Sequence, residues 1–103
     1  MARVELSEAA ARDLQRLILT HNLPADTPDR ALRRLRPLGR FPELGPRLGG
    51  RWRGYRYVLG PWRWMVVAYE YVEDRDLVLV ATIADGRSRR SPHPPTDAPP
   101  LTK

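Results

Sequence analysis

The sequence has 103 residues, enough for one domain with one modest hydrophobic core. It contains no cysteine, which excludes disulfide frameworks, thiolate metal sites and cysteine nucleophiles. No apolar run approaches the roughly 18 residues that cross a bilayer, and the N-terminus lacks the apolar core of a secretory signal. We therefore expect a single-domain cytoplasmic protein.

Charge is unevenly distributed along the chain. The net charge is +6, and 17 of the 18 basic residues are arginine. Ten arginines lie between Asp29 and Arg63 against two acids, a local charge of about +8, whereas the segment from Glu70 to Asp85 carries about −4. A basic patch of this density attracts a polyanion or an acidic protein, although a solvated helix face and loop would give the same pattern.

The N-terminal part predicts a strand followed by two helices. Arg3–Leu6 alternates polar and apolar residues, as strands do. Ser7 is a good N-cap, and the apolar stripe after it predicts a first helix over about residues 8–22. Pro28 suits the first turn of a second helix, which Pro37 should distort or end. The two helices should lie as an antiparallel pair over one sheet.

A loop rich in glycine and proline follows at residues 41–50. It contains three large apolar residues, Phe41, Leu44 and Leu48. We expect these three side chains to pin the loop to the core.

Three strand patterns complete the predicted domain. They cover residues 51–59, 62–72 and 77–83, and the last two are apolar on both faces, which is typical of covered strands. The predicted fold is α+β, a two-helix hairpin on a mostly antiparallel sheet of about four strands in the order β-α-α-β-β-β. The folded domain should span residues 1–90, with residues 91–103 a flexible proline-rich tail.

The sequence lacks most motifs that carry catalysis. His21 and His93 stand in no HxxxH or HExxH arrangement, so we expect no metal site, and no P-loop or GxGxxG motif supports a nucleotide cofactor. Arginine, tyrosine and histidine remain. This set is sufficient to cleave RNA through its own 2′-hydroxyl without metal, since arginine stabilises the charge of the phosphorane and histidine or tyrosine transfers the proton.

Several segments occur in a characteristic order along residues 3–90. They are VELS at 4–7, LGRFPELG at 38–45, LGG at 48–50, GYR at 54–56, RWMVVAYEY at 63–71 and VATIADGR at 80–87. Together with the helix pair they resemble the RelE/ParE superfamily of bacterial type II toxin–antitoxin toxins. The resemblance implies a toxin that needs no cofactor and is neutralised by an antitoxin with an acidic amphipathic segment. RelE-like members cleave mRNA on the ribosome, whereas ParE-like members inhibit DNA gyrase.

The resemblance also implies site residues. Arg56 matches a basic RNA-contacting position, Arg87 matches a residue that stabilises the scissile phosphate, and His93 stands where the RelE branch has a proton-transferring tyrosine. These three are the candidate catalytic residues. Arg63 lies near a central-strand arginine of the family, out of register by an odd number of positions, which reverses its face. The candidates for RNA contact are Arg51, Arg53, Arg63 and Arg89.

Three functions stay open at this point. We predict a metal-independent, ribosome-dependent mRNA endonuclease. The absence of lysine around these arginines favours the alternative of a ParE-like toxin that inhibits gyrase without catalysis. The third possibility is a degenerate member that only binds its antitoxin. Each candidate also has a structural alternative, since strand arginines often face solvent and Trp52, Trp62 and Trp64 are more often packing residues than base-stacking platforms.

Overall fold

The computed structural model describes residues 1–87, so Arg89 and the predicted tail, which contains His93, lie outside the described residues. The observed order is β-α-α-β-β-β. The helices are α1 (Glu8–His21) and α2 (Thr27–Leu35), and the strands are β1 (Arg3–Leu6), β2 (Arg56–Leu59), β3 (Met65–Val72) and β4 (Leu77–Asp85). The sheet runs β1-β4-β3-β2, with β1 parallel to β4 and the other pairs antiparallel. This confirms the predicted α+β fold.

Helix α1 is fixed at both ends and lies along β4. The Ser7 hydroxyl accepts the Ala10 N–H at 3.0 Å, which caps the first turn as predicted. Asn22 ends the helix in the left-handed conformation, with φ of 53°. Midway, the Asp13 carboxylate accepts the Thr82 hydroxyl at 2.6 Å and the Ile83 N–H at 3.2 Å. Because α1 and β4 run in the same direction, their C-terminal ends meet at one end of the sheet.

Helix α2 starts and ends where its two prolines predict. Pro28 lies in its first turn, and Thr27 is fully buried, donating its hydroxyl to the Pro24 carbonyl at 2.6 Å. After Leu35 the chain tightens into a 3-10 turn at Arg36–Gly39, because Pro37 has no N–H to continue the α-helical ladder.

The core lies between the two helices and one face of the sheet. Alternate residues of β3 point into it, and the register places Val58 of β2 on the same side. The large side chains that are buried there are Leu14, Leu35, Leu38, Met65, Val67, Tyr69, Val78, Val80 and Ile83. Among residues 1–87 neither helix, at 14 and 9 residues, is long and apolar enough to cross a membrane.

The other face of the sheet, here called the open face, carries the remaining residues of the strands. On the edge strand β2 these are Tyr57 and Leu59, and on the neighbouring strand β3 they are Val66, Ala68, Glu70 and Val72. None of these six is basic.

Two predicted strands were too long. Residues 51–55 are not strand, because Gly50 and Gly54 adopt positive φ (60° and 94°) and a 3-10 turn occupies Gly50–Trp52. Residues 62–64 form a turn in which the Met65 N–H bonds to the Trp62 carbonyl at 3.0 Å. The third predicted strand therefore begins at Met65 rather than at Trp62. Strand β4, in contrast, continues two residues further than predicted.

The prediction that Phe41 and Leu44 pin the loop to the core is wrong, since they are 56% and 59% exposed. Gly45 anchors the loop instead. It is buried, and its N–H donates to the hydroxyl of Tyr69 at 2.9 Å. A Cβ at Gly45 would collide with the Tyr57 carbonyl, so only glycine allows this approach.

Candidate functional site

Arg56 lies at the start of β2 on the helix-covered side of the sheet, opposite Tyr69. Its Nη1 donates to the Gly45 carbonyl at 2.8 Å and to the Glu43 carbonyl at 3.3 Å. One nitrogen of the guanidinium thus holds the loop over β2. Arg56 is half-buried, and its other nitrogens make no hydrogen bond within residues 1–87.

A polar cleft of about 220 Å³ lies beside Arg56. Its charges balance, because two arginines face two glutamates. The lining residues are Glu43, Arg47, Gly54, Tyr55, Arg56, Tyr71 and Glu73. The Tyr71 hydroxyl donates to Asp76 Oδ1 at 2.7 Å, and this bond raises the pKa of Tyr71. Tyr71 therefore stays protonated at neutral pH and is not a base there.

A second group of side chains meets where α1 and β4 end. It comprises His21, Trp64, Asp85 and Arg87, and we call it the imidazole cluster. The imidazole of His21 stacks on the Trp64 ring with centroids 4.4 Å apart, and its Nε2 lies 3.4 Å from Asp85 Oδ2. The Arg87 guanidinium carbon lies 5.1 Å from the centroid of the same Trp64 ring.

Asp85 is the hub of the imidazole cluster. It accepts Arg87 Nε at 3.1 Å, Arg87 Nη2 at 3.2 Å and the Arg87 backbone N–H at 2.9 Å. These bonds, with a smaller contribution from His21, lower the pKa of Asp85, and the same pair raises the pKa of Arg87. The Asp85 side chain is 19% exposed and that of Arg87 is 63% exposed, so the cluster presents the guanidinium to solvent.

This arrangement can support proton transfer beside a cation. An imidazole can accept and release a proton, and Nε2 of His21 lies 3.4 Å from the Asp85 carboxylate. Nη1 of Arg87 makes no hydrogen bond within residues 1–87 and remains available to an anion.

The structure does not bring Arg56 and Arg87 together. Arg56 pairs with Tyr69, whereas Asp85, two residues before Arg87, pairs with Met65. The two partner residues, Met65 and Tyr69, are four positions apart on β3, which corresponds to about 13 Å along the strand. The two arginines therefore belong to different sites on this monomer.

The other candidate arginines within the described residues lie in turns. Arg51 is in the 3-10 turn before β2, Arg53 follows that turn, and Arg63 lies between β2 and β3. All three are exposed. The Trp52 ring packs edge-on against Tyr55 at 5.0 Å, and the rings of Trp62 and Trp64 stack at 6.3 Å. The tryptophans thus make internal ring contacts.

Glu70 is the charged residue at the centre of the open face. Burial raises the pKa of its carboxyl. No basic side chain bonds to it within residues 1–87. On β2 and β3 the open face is therefore apolar apart from Glu70, whereas β1 adds Arg3 and Glu5 at the far edge.

The proximity of His21 to Asp85 was not predicted from the sequence. Nothing local connects His21 to Asp85, which lies 64 residues further along the chain. The contact follows only from the direction in which α1 crosses the sheet. In the part of the chain that the structure describes, no three His, Asp or Glu side chains form a metal-binding group.

Solved structures with this fold match most of the chain. The toxin–antitoxin complex RelBE2 from Mycobacterium tuberculosis has a chain that is 20% identical, with a TM-score of 0.55, and the match covers 82% of this chain and 96% of that one. The conserved hypothetical proteins HP0894 and HP0892 from Helicobacter pylori are 16% and 10% identical, each with a TM-score of 0.55. Their matches cover 82% of this chain and 93% and 94% of theirs.

No protein-family model matches the sequence, and no curated protein is significantly similar to it. At identities this low the likeness to solved structures concerns the fold. The chain therefore shares its fold with a chain of the RelBE2 toxin–antitoxin complex and with HP0894 and HP0892.

Proposed function

We propose that the chain is the toxin of a bacterial type II toxin–antitoxin module and that a cognate antitoxin neutralises it. The observation that carries this proposal is the fold, shared over 82% of the chain with a structure of the toxin–antitoxin complex RelBE2. The surface charge supports it. Three exposed arginines have no carboxylate partner among residues 1–87, namely Arg33, Arg36 and Arg40. Their guanidinium groups are therefore available to the carboxylates of an acidic partner protein.

The activity we assign to the toxin is metal-independent cleavage of mRNA on the ribosome, in the cytoplasm. The 2′-oxygen attacks phosphorus as a base takes its proton, the bond from phosphorus to the 5′-oxygen breaks, and the leaving oxygen takes a proton from an acid or water. The products are a 2′,3′-cyclic phosphate and a 5′-hydroxyl. The reaction needs a proton carrier and a cation close together.

The imidazole cluster supports this activity. His21 would carry the proton beside the Asp85 carboxylate, and Arg87 would supply the cation through Nη1, which makes no hydrogen bond within residues 1–87. Arg56, about 13 Å away along β3, would then contact RNA away from the cleaved bond rather than act in the chemistry. His93 remains a second candidate for proton transfer and lies outside the described residues.

The experiment is mRNA cleavage in a translating extract, read by primer extension. Wild-type protein should cut the message, and Arg87→Ala and His21→Gln should each lose about 100-fold or more in rate. Arg75→Ala is the matched control, because Arg75 is exposed, lies in the turn before β4 and has no partner within residues 1–87. Intact message with the wild type excludes the nuclease.

The open face favours a second candidate, a ParE-like toxin that inhibits gyrase without catalysis. Its residues on β2 and β3 are apolar apart from Glu70, and such a surface suits a protein target better than phosphates. This candidate predicts blocked supercoiling by purified gyrase and an SOS response in cells. Normal supercoiling with excess toxin, together with intact mRNA and unaffected growth, would leave only the degenerate antitoxin-binding form.

A further inference from the structure

The charged side chains that line the polar cleft beside Arg56 are not paired with one another. Two arginines and two glutamates contribute to its walls, namely Arg47, Arg56, Glu43 and Glu73. None of these four side chains forms an ion pair among residues 1–87. The cleft therefore offers hydrogen-bond donors and acceptors that the protein leaves to solvent or to a ligand.

Arg56 supplies donors that are held in place. Its Nη1 donates to the Gly45 carbonyl at 2.8 Å and to the Glu43 carbonyl at 3.3 Å, whereas Nε and Nη2 make no hydrogen bond within residues 1–87. The N–H groups of Nε and Nη2 point to the same side of the planar guanidinium. A fork of this kind matches two neighbouring acceptors on the edge of a planar ligand.

Glu43 and Glu73 supply the acceptors. The bond to Asp76 has the largest effect on the raised pKa of Tyr71, and the charges of Glu73 and Glu43 add to it. Both carboxylates therefore lie near the Tyr71 hydroxyl, at the side of the same cleft. An ionised carboxylate accepts hydrogen bonds and donates none, and its two oxygens match two neighbouring N–H groups.

The size and the remaining walls of the cleft favour a small flat ligand. Its volume of about 220 Å³ lies below the roughly 300–1,000 Å³ that is usual for drug-sized ligands, so it suits a single ring system. Tyr55, which is 1% exposed, and the half-buried Tyr71 both line it. Aromatic side chains are the usual surfaces against which proteins stack unpaired bases of single-stranded RNA.

We propose that the polar cleft binds a guanine base of single-stranded RNA, with the Arg56 fork donating to O6 and N7 and a glutamate accepting from N1 and N2. The proposal rests on the proposed function, under which the RNA is the message that is cut. Guanine carries two neighbouring acceptors next to two neighbouring donors, which is the pattern that a guanidinium and a carboxylate read together. Adenine places its amino group between two acceptors and matches neither.

The polar cleft and the imidazole cluster hold different parts of one RNA under this proposal. Their positions on the sheet are about 13 Å apart along β3. The cleft binds a base while Arg87 contacts the phosphate that is cleaved. Cleavage should therefore occur at a fixed distance from a guanine.

Binding of matched nucleotides to the full chain tests the contacts one at a time. The probes are GMP, IMP, 7-deaza-GMP and AMP, which carry the same phosphate and differ in the base. IMP lacks the amino group that a glutamate accepts, and 7-deaza-GMP lacks the N7 acceptor of the Arg56 fork. Each should bind about tenfold more weakly than GMP, since each loses a hydrogen bond to a charged group. Amide NMR shifts should place GMP at residues 43–47 and 54–56.

Two glutamine variants identify the accepting carboxylate. Either Glu43→Gln or Glu73→Gln should abolish the preference for GMP over IMP. Asp74→Asn is the matched control, because Asp74 is exposed, lies next to Glu73 and does not line the cleft, so this variant should keep the preference. Arg56 is tested through 7-deaza-GMP rather than by substitution, because its replacement would also release the loop that its Nη1 holds.

A pentanucleotide extends the test from nucleotides to RNA. The sequence UUGUU should displace GMP and bind more tightly than UUAUU. The proposal is overturned if the four nucleotides bind equally, if GMP shifts amides away from the cleft, or if the variant with both glutamates replaced keeps the wild-type preference. Binding of GMP without displacement by UUGUU would assign the cleft to free nucleotides and would also overturn it.

None of these readouts depends on cleavage. A protein that binds guanine in the polar cleft and leaves mRNA intact would contradict the nuclease, while the guanine site stands. Cleavage of mRNA by a protein that binds all four nucleotides equally would contradict the guanine site alone.

Discussion

Replacing Arg56 by glutamine tests whether this residue first of all holds the loop. The 2.8 Å bond from Nη1 to the buried Gly45 is short and charge-assisted, whereas the 3.3 Å bond to Glu43 is long and exposed. A hydrogen bond from a charged group contributes about 1.5–3 kcal/mol, and exposure places this one near the lower end, about 1.5–2 kcal/mol. For a domain of this size each kcal/mol shifts Tm by about 4–8 °C, so Arg56→Gln should lower Tm by roughly 6–16 °C.

Thermal unfolding followed by circular dichroism measures this shift, and amide exchange at Gly45 reports on the loop. Arg53→Gln is the matched control, since Arg53 is exposed, has no partner among residues 1–87 and lies three residues away. It should change stability by no more than about 0.5 kcal/mol. An unchanged Tm for Arg56→Gln, with unchanged amide exchange at Gly45, would refute the role of Arg56 in holding the loop.

Further predictions concern the Tyr69 hydroxyl and the carboxyl groups of Glu70 and Asp85. Tyr69→Phe leaves the N–H of the buried Gly45 without its acceptor and should cost about 1–3 kcal/mol in chemical denaturation. Burial raises the pKa of Glu70 above its ordinary value of 4.5, so the charged carboxylate opposes folding. Glu70→Gln should therefore raise Tm at pH 7. This gain in Tm should vanish below about pH 4, where the carboxyl is protonated in the folded and the unfolded chain. Bonds from Arg87 lower the pKa of Asp85 below its ordinary 3.8, so the stabilisation by its charged form is present above that pH and is lost as pH falls through the lowered pKa. Asp85→Asn should therefore lower Tm at pH 7, and this loss should shrink progressively as the pH is lowered below 3.8.

The elements that were predictable from sequence are those with local causes. Ser7 caps α1 through a bond to a residue three positions on, and Pro28 and Pro37 bracket α2 through their own geometry. The element order followed from these signals together with the strand patterns. Each of these signals acts on residues only a few positions away, so it can be recognised without knowledge of the tertiary fold.

The errors have tertiary or conformational causes. Residues 51–55 have a strand-like composition, but positive φ at Gly50 and Gly54 turns the chain before β2. Phe41 and Leu44 look like anchors by hydrophobicity, yet Gly45 takes that role because its small size permits contact with β2. Burial depends on what packs opposite a side chain, which the local sequence does not specify.

The candidate site was predictable only in part. Arg87 was named as a candidate because the resemblance implied it, and the structure adds the partners that surround it. His21 and Asp85 come together because α1 lies along β4, a relation across 64 residues that periodicity cannot supply. The separation of Arg56 from Arg87 is likewise a matter of strand register rather than of sequence spacing.

Growth after induced expression tests the toxin assignment most directly. Cells that produce the wild-type chain without its antitoxin should stop growing within a few generations, whereas cells that produce an equal amount of Arg87→Ala should continue if the imidazole cluster does the chemistry. Growth of the wild-type culture at the rate of an empty-vector control, with the protein soluble and at equal abundance, would contradict the account.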